Sequence, residues 1–433
     1  MIPSNRALGY QHDIIENAHL GQYGLTSVAN NICLLDAGKR SGPDPIEYES
    51  SIYQKGLSYQ KPPFTFKSLE WERLASERMS ADSKGYVVGS AGTGENANKN
   101  RAAFEKWSII SRRLVKTERL SELSTGVLGH KLTCPIACAP VGVQRIFNPD
   151  GEPAAAAAAA KENVPFIMST ASSTSIEDVA KANGDGPPNE KNDITISMFN
   201  CAQKAGFHSF ICDFRYLDTC DMDNGYNPFL RSDQVGVAIG LTDPAFREHF
   251  KTKHGKSVEG DMGAAVAEWT KTVFPGHSHS FDNIKFLQQH WKGPIVLKGI
   301  QSCVEIGVQG IVVSDHGGRQ SDGGCSSLSV LPRIVDAVGH KIDVFFDSGI
   351  RCGADIAKAL ALGAKSCLTG RPYIYGLALG GEEGVSHVLG ALAGDLELTL
   401  HLAGIVSSSP EHLIKKFSSK KVTCFNVEVE ILP

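Results

Sequence analysis

The sequence predicts an α/β fold, a (β/α)8 (TIM) barrel that follows an N-terminal helical extension. Two observations lead to this fold class. Short apolar runs alternate with helical patterns from about residue 133 onward, which is typical of parallel strands joined by crossover helices. Charged and polar residues directly follow the apolar runs, and the active sites of such barrels lie at these strand ends.

Seven candidate barrel strands stand out as short apolar runs. They are PIACAPV (135–141), PFIMST (165–170), FHSFICDF (207–214), PIVLKG (294–299), GIVVSDH (310–316), DVFFDSG (343–349) and SCLTGRP (366–372). No such run separates the helical pattern SIEDVAKANG from the next one, ITISMFNCAQKAG. The third barrel strand is therefore predicted to be missing or replaced, and part of 184–193 is the candidate replacement.

Helical patterns follow most of the strands, namely EPAAAAAAAKEN, SIEDVAKANG, SSLSVLPRIVDAVG and ADIAKALALGA. We divide the chain into a helical extension at 1–125, which includes the helical pattern NRAAFEKWSIISRRLV, a barrel at 126–405 and a tail at 406–433. Within the barrel, 220–281 forms a long connection with its own helix, AAVAEWTKTV. Such an insertion is either an active-site lid or a surface excursion.

The composition is that of a globular chain, with 42% hydrophobic and 21% charged residues. A net charge of −4 offers no field for nucleic acid or anionic lipid, so the expected partners are small molecules and further copies of the chain. Eleven cysteines without a CxxC pair indicate reduced thiols. The sequence shows no signal-peptide pattern and no membrane-length apolar run, and we expect a cytoplasmic protein.

Glycine and arginine follow the last two predicted strands, in FFDSGIRCGAD and CLTGRPYIYG. Free backbone N–H groups at a helix start, together with a guanidinium, form an anion site, and barrels commonly hold a phosphate at this position. A phosphate-bearing ligand is therefore implied. The other glycine-rich run, GSAGTGENANKN at 89–100, follows no predicted strand and gives little support to a dinucleotide site.

The stretch GIVVSDHGGRQSDGG at 310–324 places a base and a fixed cation on one loop. His316 is a candidate general base, and Arg319 is a candidate clamp for a substrate carboxylate. Lys298 has two readings, a Schiff-base lysine or a cation that holds an anionic cofactor ring. A metal hydrolase that uses His277 and His279 is a more distant alternative, because no further ligands follow at suitable spacing.

The stretch SDHGGRQSDGG resembles the S-N-H-G-x-R-Q-x-D signature of the FMN-dependent α-hydroxy acid dehydrogenases and oxidases. The resemblance extends over most of 65–405 and includes GYVVGSAGTGENANKNRAAF, CPIACAPVG, PFIMSTASSTSIEDVA, IVLKGI, FDSGIRCGADIAKALALGA, TGRP and GDLELTLHLAGI. Within this family the segments NGYNPFL and VFPGHSHS are most similar to the lactate 2-monooxygenase branch.

This resemblance implies an FMN-binding barrel that oxidises an L-2-hydroxy acid of the lactate type, with oxygen as the acceptor, no metal, and assembly into a homo-oligomer of four or more subunits. It implies that His316 is the base, that Asp218 orients it, and that Tyr86 and Arg319 bind the substrate carboxylate. The residues implied to contact FMN are Pro140, Val141, Gly142, Ser169, Lys298, Ser314, Asp347, Ser348, Gly349, Ile350, Arg351, Gly370 and Arg371.

The sequence departs from the family pattern at several places. The third strand is absent where GPPNEKND runs between two helical patterns, and a segment after Leu217–Thr219 is missing. The helix after Lys298 is shortened. Asp315 replaces the usual asparagine, and Ala171 stands where some relatives have tryptophan, which leaves a roomier pocket. Two readings therefore remain open: an active oxidase or monooxygenase, and a relative that is impaired or binds FMN without turnover.

Overall fold

A parallel sheet forms the centre of the structure. The computed structural model describes residues 45–111, 115, 121–183, 209–213, 236–273, 281–299, 306–408 and 413. Its strands are β1 (Thr125–Val127), β2 (His130–Leu132), β3 (Ile136–Cys138), β4 (Phe210–Asp213), β5 (Ile295–Lys298), β6 (Gly310–Val313), β7 (Asp343–Phe346) and β8 (Ser366–Thr369). The strands β1 and β2 form a small antiparallel hairpin, and the other six pair in parallel in the order β3-β8-β7-β6-β5-β4.

Six of the seven predicted strands are confirmed as β3 to β8. The remaining one, PFIMST, contributes a single parallel bridge between Phe166 and Cys138. Since Phe166 lies on the side of β3 away from β8, the described strands follow a barrel order in which only the position between Phe166 and β4 has no described strand. Residues 184–208, where the third strand is predicted to be missing or replaced, lie outside the described residues.

Helices precede the first strand and also lie between and after the strands in sequence. They are α1 (Pro45–Leu57), α2 (Ser68–Arg78), α3 (Ala81–Val88), α4 (Glu95–Glu105), α5 (Gly151–Lys161), α6 (Ile176–Asn183), α7 (Ala238–Thr242), α8 (Pro244–His254), α9 (Met262–Val273), α10 (Phe281–His290), α11 (Ser327–Val338), α12 (Gly353–Ala361) and α13 (Arg371–Leu402). The four helices predicted after strands are confirmed as α5, α6, α11 and α12, and AAVAEWTKTV is confirmed within α9.

The sequence pattern explains why these elements pack as they do. All residues of β5, β6 and β8 are buried, as expected for parallel strands covered on both faces. Alanines make up most of α5, and Ala155, Ala158 and Ala159 are fully buried, so α5 lies close against α13 and α6. A kink at Gly380 and Gly381 divides α13.

Helices of the N-terminal extension pack directly on the barrel. Both α1 and α2 contact α13. The helix predicted from NRAAFEKWSIISRRLV is correct only in its first residues, because α4 begins earlier, at Glu95, and ends at Glu105. Its early start has a tertiary cause: the carboxylate of Asp322 accepts hydrogen bonds from the N–H groups of Thr93 and Asn96, at 2.7 and 2.9 Å, and so caps the helix.

The connection at 236–273 has a small core of its own. Phe246, Phe250 and Trp269 are buried there. The same cluster extends to Val143 of the barrel and is packed against Tyr86, so the insertion lies beside the carboxyl ends of the strands. No helix within the described part of the chain combines the length and apolar character needed to cross a membrane.

Candidate active site

A cleft of about 770 Å³, including its open mouth, lies at the carboxyl ends of the strands. Most of the residues predicted for the site line it: Tyr86, Pro140, Val141, Gly142, Lys298, His316, Arg319, Asp347, Ser348, Gly349, Ile350, Arg351, Gly370 and Arg371. Ser169 and Ser314 are described but do not line the cleft. Asp218 lies outside the described residues.

Three ionisable side chains meet at the ends of β5, β6 and β7. The ammonium nitrogen of Lys298 lies 2.9 Å from Nδ1 of His316 and 3.6 Å from Oδ2 of Asp347. Lys298 and Asp347 are both buried, at 3% and 7% exposure. Burial raises the pKa of Asp347, although the positive charge of Lys298 opposes this rise.

The loop that carries His316 has an unusual backbone. Three consecutive residues, His316, Gly317 and Gly318, have φ angles of 61°, 69° and 75°. A histidine in the left-handed region is uncommon and requires support from its surroundings. Part of this support comes from Ser314, whose Oγ accepts a hydrogen bond from the N–H of His316 at 3.0 Å, and from Ser348, whose Oγ accepts one from Gly317 at 3.0 Å.

Arg319 and Tyr86 form a second group in the lining of the cleft. The guanidinium carbon of Arg319 lies 5.0 Å above the ring of Tyr86, and Arg319 also donates a hydrogen bond to the Tyr86 carbonyl. A guanidinium stacked on an aromatic ring is held in a fixed plane. The pair can therefore present a cation and a phenol in a fixed arrangement to one ligand.

Arg371 lies half-buried at the start of α13, where it lines the cleft. Its guanidinium donates hydrogen bonds to the carbonyls of Val87, Gly317 and Gly89, at 2.8, 2.9 and 2.9 Å. Burial, with repulsion from Arg319, lowers the pKa of Arg371 from 12.5 to about 10. Arg351 adds to this repulsion, so this end of the cleft favours an anion.

The same end of the cleft offers free polar groups. The N-terminus of α13 begins after Gly370, and a helix N-terminus directs N–H groups at an anion. The hydroxyl of Thr369, which also lines the cleft, is buried without a hydrogen-bond partner among the described residues. Gly349, with φ 85°, has no room for a side chain, because a Cβ atom there would lie 2.7 Å from the Asn100 carbonyl oxygen.

Small residues line the part of the cleft that follows β3, beside the end of β8. A Cβ atom on Gly142 would lie 2.8 Å from the Cβ of Ala171, and the N–H of Val143 donates to the Ala171 carbonyl at 2.9 Å. Ser169 is buried, and its Oγ accepts a hydrogen bond from the Ala171 N–H at 3.2 Å. Ala171 itself is packed against the core of the 236–273 insertion.

The comparisons with known proteins agree with this geometry. The sequence profile of the FMN-dependent dehydrogenase family matches residues 75–414. An FMN-dependent alpha-hydroxy acid dehydrogenase of Schizosaccharomyces pombe is 56% identical over 391 residues, which cover 86% of this chain and 95% of that protein. An L-lactate oxidase of Lysinibacillus sphaericus is 34% identical over 382 residues, 83% of this chain and 94% of the relative. A crystal structure of mandelate oxidase with (S)-4-hydroxymandelic acid has a TM-score of 0.67 at 31% identity, covering 79% of this chain and 96% of that one.

The chain belongs to the FMN-dependent dehydrogenase family. It is an FMN-dependent oxidoreductase of α-hydroxy acids, which confirms the predicted cofactor and enzyme class. The likeness to mandelate oxidase confirms the predicted barrel fold.

Sequence reasoning missed several residues that support this family site. Asn100 and Arg101 lie on α4, and Arg101 donates to the Gly349 carbonyl and pairs with Asp355 at 2.7 Å. Glu152 is fully buried and accepts hydrogen bonds from Ser173, at 2.8 Å to its N–H and 2.6 Å to its hydroxyl. Two of these, Asn100 and Arg101, lie within the stretch GYVVGSAGTGENANKNRAAF, so the resemblance pointed to their neighbourhood but not to their contacts.

Proposed function

We propose that the chain oxidises L-2-hydroxy acids of the lactate type to 2-keto acids in this cleft, with oxygen as the final acceptor. The observation that carries the proposal is the convergence of Lys298, His316 and Arg319 on one cleft whose other end is cationic. Bound FMN supplies the two-electron acceptor for this reaction. The residues of the chain supply binding, orientation and proton transfer.

The cleft fits a flavin phosphate at one end and a flavin ring along its wall. The phosphate would be held by the unpartnered hydroxyl of Thr369, the guanidinium of Arg371 and the α13 N-terminus, with Gly349 and Arg351 beside it. The ring would lie along the small residues Pro140 to Gly142, where side chains leave room. Asp347 and Ser348 would bind the polar chain between the two ends.

His316 would act as the base for the substrate hydroxyl. Its Nδ1 faces the Lys298 ammonium at 2.9 Å, so this nitrogen carries the lone pair when the lysine donates to it. For substrate to reach the imidazole, Lys298 would turn toward the anionic edge of the flavin, where its charge is also needed. Asp218 is proposed to orient the ring, as in the family resemblance.

Arg319 and Tyr86 would bind the substrate carboxylate. A planar guanidinium held against the Tyr86 ring, 5.0 Å from its centre, matches a carboxylate with two parallel hydrogen bonds. The 236–273 insertion packs against both Tyr86 and Ala171, which supports a role in covering the bound acid.

The fate of the keto acid separates two outcomes of the same chemistry. Early release gives the keto acid and hydrogen peroxide, whereas retention beneath the insertion gives oxidative decarboxylation. For L-lactate and oxygen, the products are pyruvate and hydrogen peroxide, or acetate, carbon dioxide and water. The contact of the insertion with Tyr86 and Ala171 favours retention.

The test is a visible spectrum of the purified protein followed by anaerobic addition of L-lactate and longer L-2-hydroxy acids. Flavin bands that bleach with the L-acids and persist with D-lactate are expected. Bands that persist with every acid would contradict the proposal and favour the alternative, a relative that binds FMN without turnover. Analysis of the aerobic products then distinguishes peroxide release from decarboxylation.

A further inference from the structure

The side chain of Asp315 stabilises the left-handed loop that carries His316 and is itself part of this loop. Its Oδ1 accepts hydrogen bonds from the N–H groups of Gly317 and Gly318, at 3.0 and 3.2 Å. A carboxylate that gathers successive backbone N–H groups stabilises the turn that presents them. Because His316 lies between the carboxylate and the two glycines in sequence, its backbone conformation depends on this contact.

Asn100 of α4, which lies outside the loop, donates hydrogen bonds to the same carboxylate. Its Nδ2 lies 2.9 Å from Oδ1 and 2.7 Å from Oδ2 of Asp315. The orientation of the amide is fixed at its other end, since Oδ1 of Asn100 accepts a hydrogen bond from the Ser327 N–H at 3.1 Å. Asn100 is 1% exposed, so these contacts are largely shielded from competing water.

Helix α4 also packs tightly on both glycine loops of the site. A Cβ atom on Gly318 would lie 2.5 Å from the backbone nitrogen of Ala97, and one on Gly349 would meet the Asn100 carbonyl oxygen at 2.7 Å. These close contacts leave the His316 loop little freedom to move relative to α4. A shift of α4 would therefore shift the loop as well.

We propose that Asp315 and Asn100 form a positioning pair that sets the orientation of His316. The proposal rests on the proposed function, in which His316 is the base. Asp315 meets the NH2 group of Asn100 with both carboxylate oxygens, and its Oδ1 also accepts from Gly317 and Gly318. An asparagine at position 315 would oppose one NH2 group with another.

The charge of Asp315 is also felt at the reacting centre. After burial, which is the main cause, the negative charge of Asp315 contributes to the raised pKa of Asp347. The pair therefore combines a geometric role with an electrostatic one. Placing asparagine at position 315 and aspartate at position 100 would keep the hydrogen bond between the two side chains. It would also move the negative charge from the His316 loop to α4, by about one hydrogen-bond length.

The test is a cycle of Asp315→Asn, Asn100→Asp and the double exchange, with Asn98→Asp as the matched control. Asn98 is exposed on the same helix, so its substitution adds the same charge without touching the loop. We expect each single exchange to slow flavin reduction at saturating substrate by at least about tenfold, since a misplaced base loses rate steeply. FMN content and the substrate KM should change little, and Asn98→Asp should behave as the wild type.

The double exchange should recover reduction to within about threefold of the wild type, because an aspartate at 100 can accept from an asparagine at 315. The proposal would be wrong if the single variants reduced flavin at the wild-type rate. It would also be wrong if the double variant reduced flavin no faster than the slower of the two single variants. Thermal unfolding of the apoproteins gives a second cycle that needs no turnover. A wild type that no hydroxy acid reduces would refute the proposed function and this role of the pair, while the unfolding cycle would still show whether the two side chains interact.

Discussion

The ammonium nitrogen of Lys298 and Nδ1 of His316 lie 2.9 Å apart at the ends of neighbouring strands β5 and β6. A proton between two such nitrogens belongs to one of them at a time. Oδ2 of Asp347 lies 3.6 Å from the same ammonium, so Lys298 contacts side chains that follow both β6 and β7. While Lys298 donates to Nδ1, this nitrogen is occupied, and the proposed base is exposed to substrate only after Lys298 turns away.

Replacing His316 by glutamine should leave FMN bound and slow flavin reduction by at least about a hundredfold, because a general base typically contributes this much. Glutamine keeps a polar side chain of similar length but does not take up the proton. Stopped-flow absorbance with saturating L-lactate measures the effect. Unchanged reduction would remove His316 from the role of base.

Replacing Lys298 by methionine should destabilise the protein by about 3 kcal/mol, because the buried Asp347 carboxylate would lose its partner. The matched control is Lys365→Met, which removes an ion pair to Asp343 at 2.5 Å in which the lysine is 39% exposed. That change should cost less than about 1 kcal/mol. Urea unfolding of both variants measures the difference, and equal costs would contradict the buried pair.

Replacing Arg371 by alanine should weaken FMN binding by at least about tenfold, since a hydrogen bond to a charged group is lost. Inorganic phosphate should raise the melting temperature of wild-type apoprotein, because an anion would pair with the Arg371 guanidinium, whose pKa burial and repulsion from Arg319 lower to about 10. In Arg371→Ala this rise should vanish. Arg333→Ala, an exposed position on α11, should respond to phosphate as the wild type does.

Replacing Gly349 by alanine should destabilise the protein by at least about 1 to 2 kcal/mol, the usual cost of a left-handed residue with a side chain. The added Cβ would also meet the Asn100 carbonyl oxygen at 2.7 Å, which should displace α4 and reduce FMN affinity. Gly126→Ala is the control, because no atom lies within 4 Å of its added Cβ. Calorimetry and FMN titration should separate the two variants.

Acidification should destabilise the contact between α1 and α13 through His387. This histidine is fully buried, and its Nδ1 lies 2.6 Å from the Tyr48 hydroxyl. Burial lowers the pKa of His387 from 6.5, so the unfolded chain takes up a proton first as the pH falls. Stability should therefore fall as the pH drops below 6.5 toward the lower folded pKa.

Melting temperatures of wild type and His387→Gln between pH 8 and 5 measure this effect. The substituted protein should show a shallower dependence on pH, whatever its absolute stability. His340→Gln removes an exposed histidine of the same chain and should retain the wild-type slope. Parallel curves for wild type and His387→Gln would contradict the assignment.

Local patterns in the sequence were sufficient to predict most of the strands. They were also sufficient to predict the end of the sheet at which the site lies. Runs such as GIVV and IVLK are apolar throughout because both faces of their strands are covered, and this property can be read from consecutive residues. The residues directly after these runs then fall at one edge of the sheet. Lys298 and His316 were placed together by this rule.

Contacts between distant segments could not be read in this way. The start of α4 depends on Asp322, more than two hundred residues later in the chain, and the Asn100 amide finds Asp315 across a similar separation. PFIMST has the composition of a strand, but its described pairing is limited to one bridge at Phe166. Propensity alone does not decide how many partners a strand finds.

The three carbonyls that accept from Arg371 belong to two different parts of the chain, Val87 and Gly89 before the barrel and Gly317 within it. The barrel consequently depends on the N-terminal extension and is not expected to be complete without it. A gene fragment that began at residue 126, or a chimera that joined this barrel to an unrelated N-terminal segment, would leave the Arg371 guanidinium without two of its three acceptors. When two relatives are recombined, the N-terminal helical extension and the barrel should therefore be taken from the same parent.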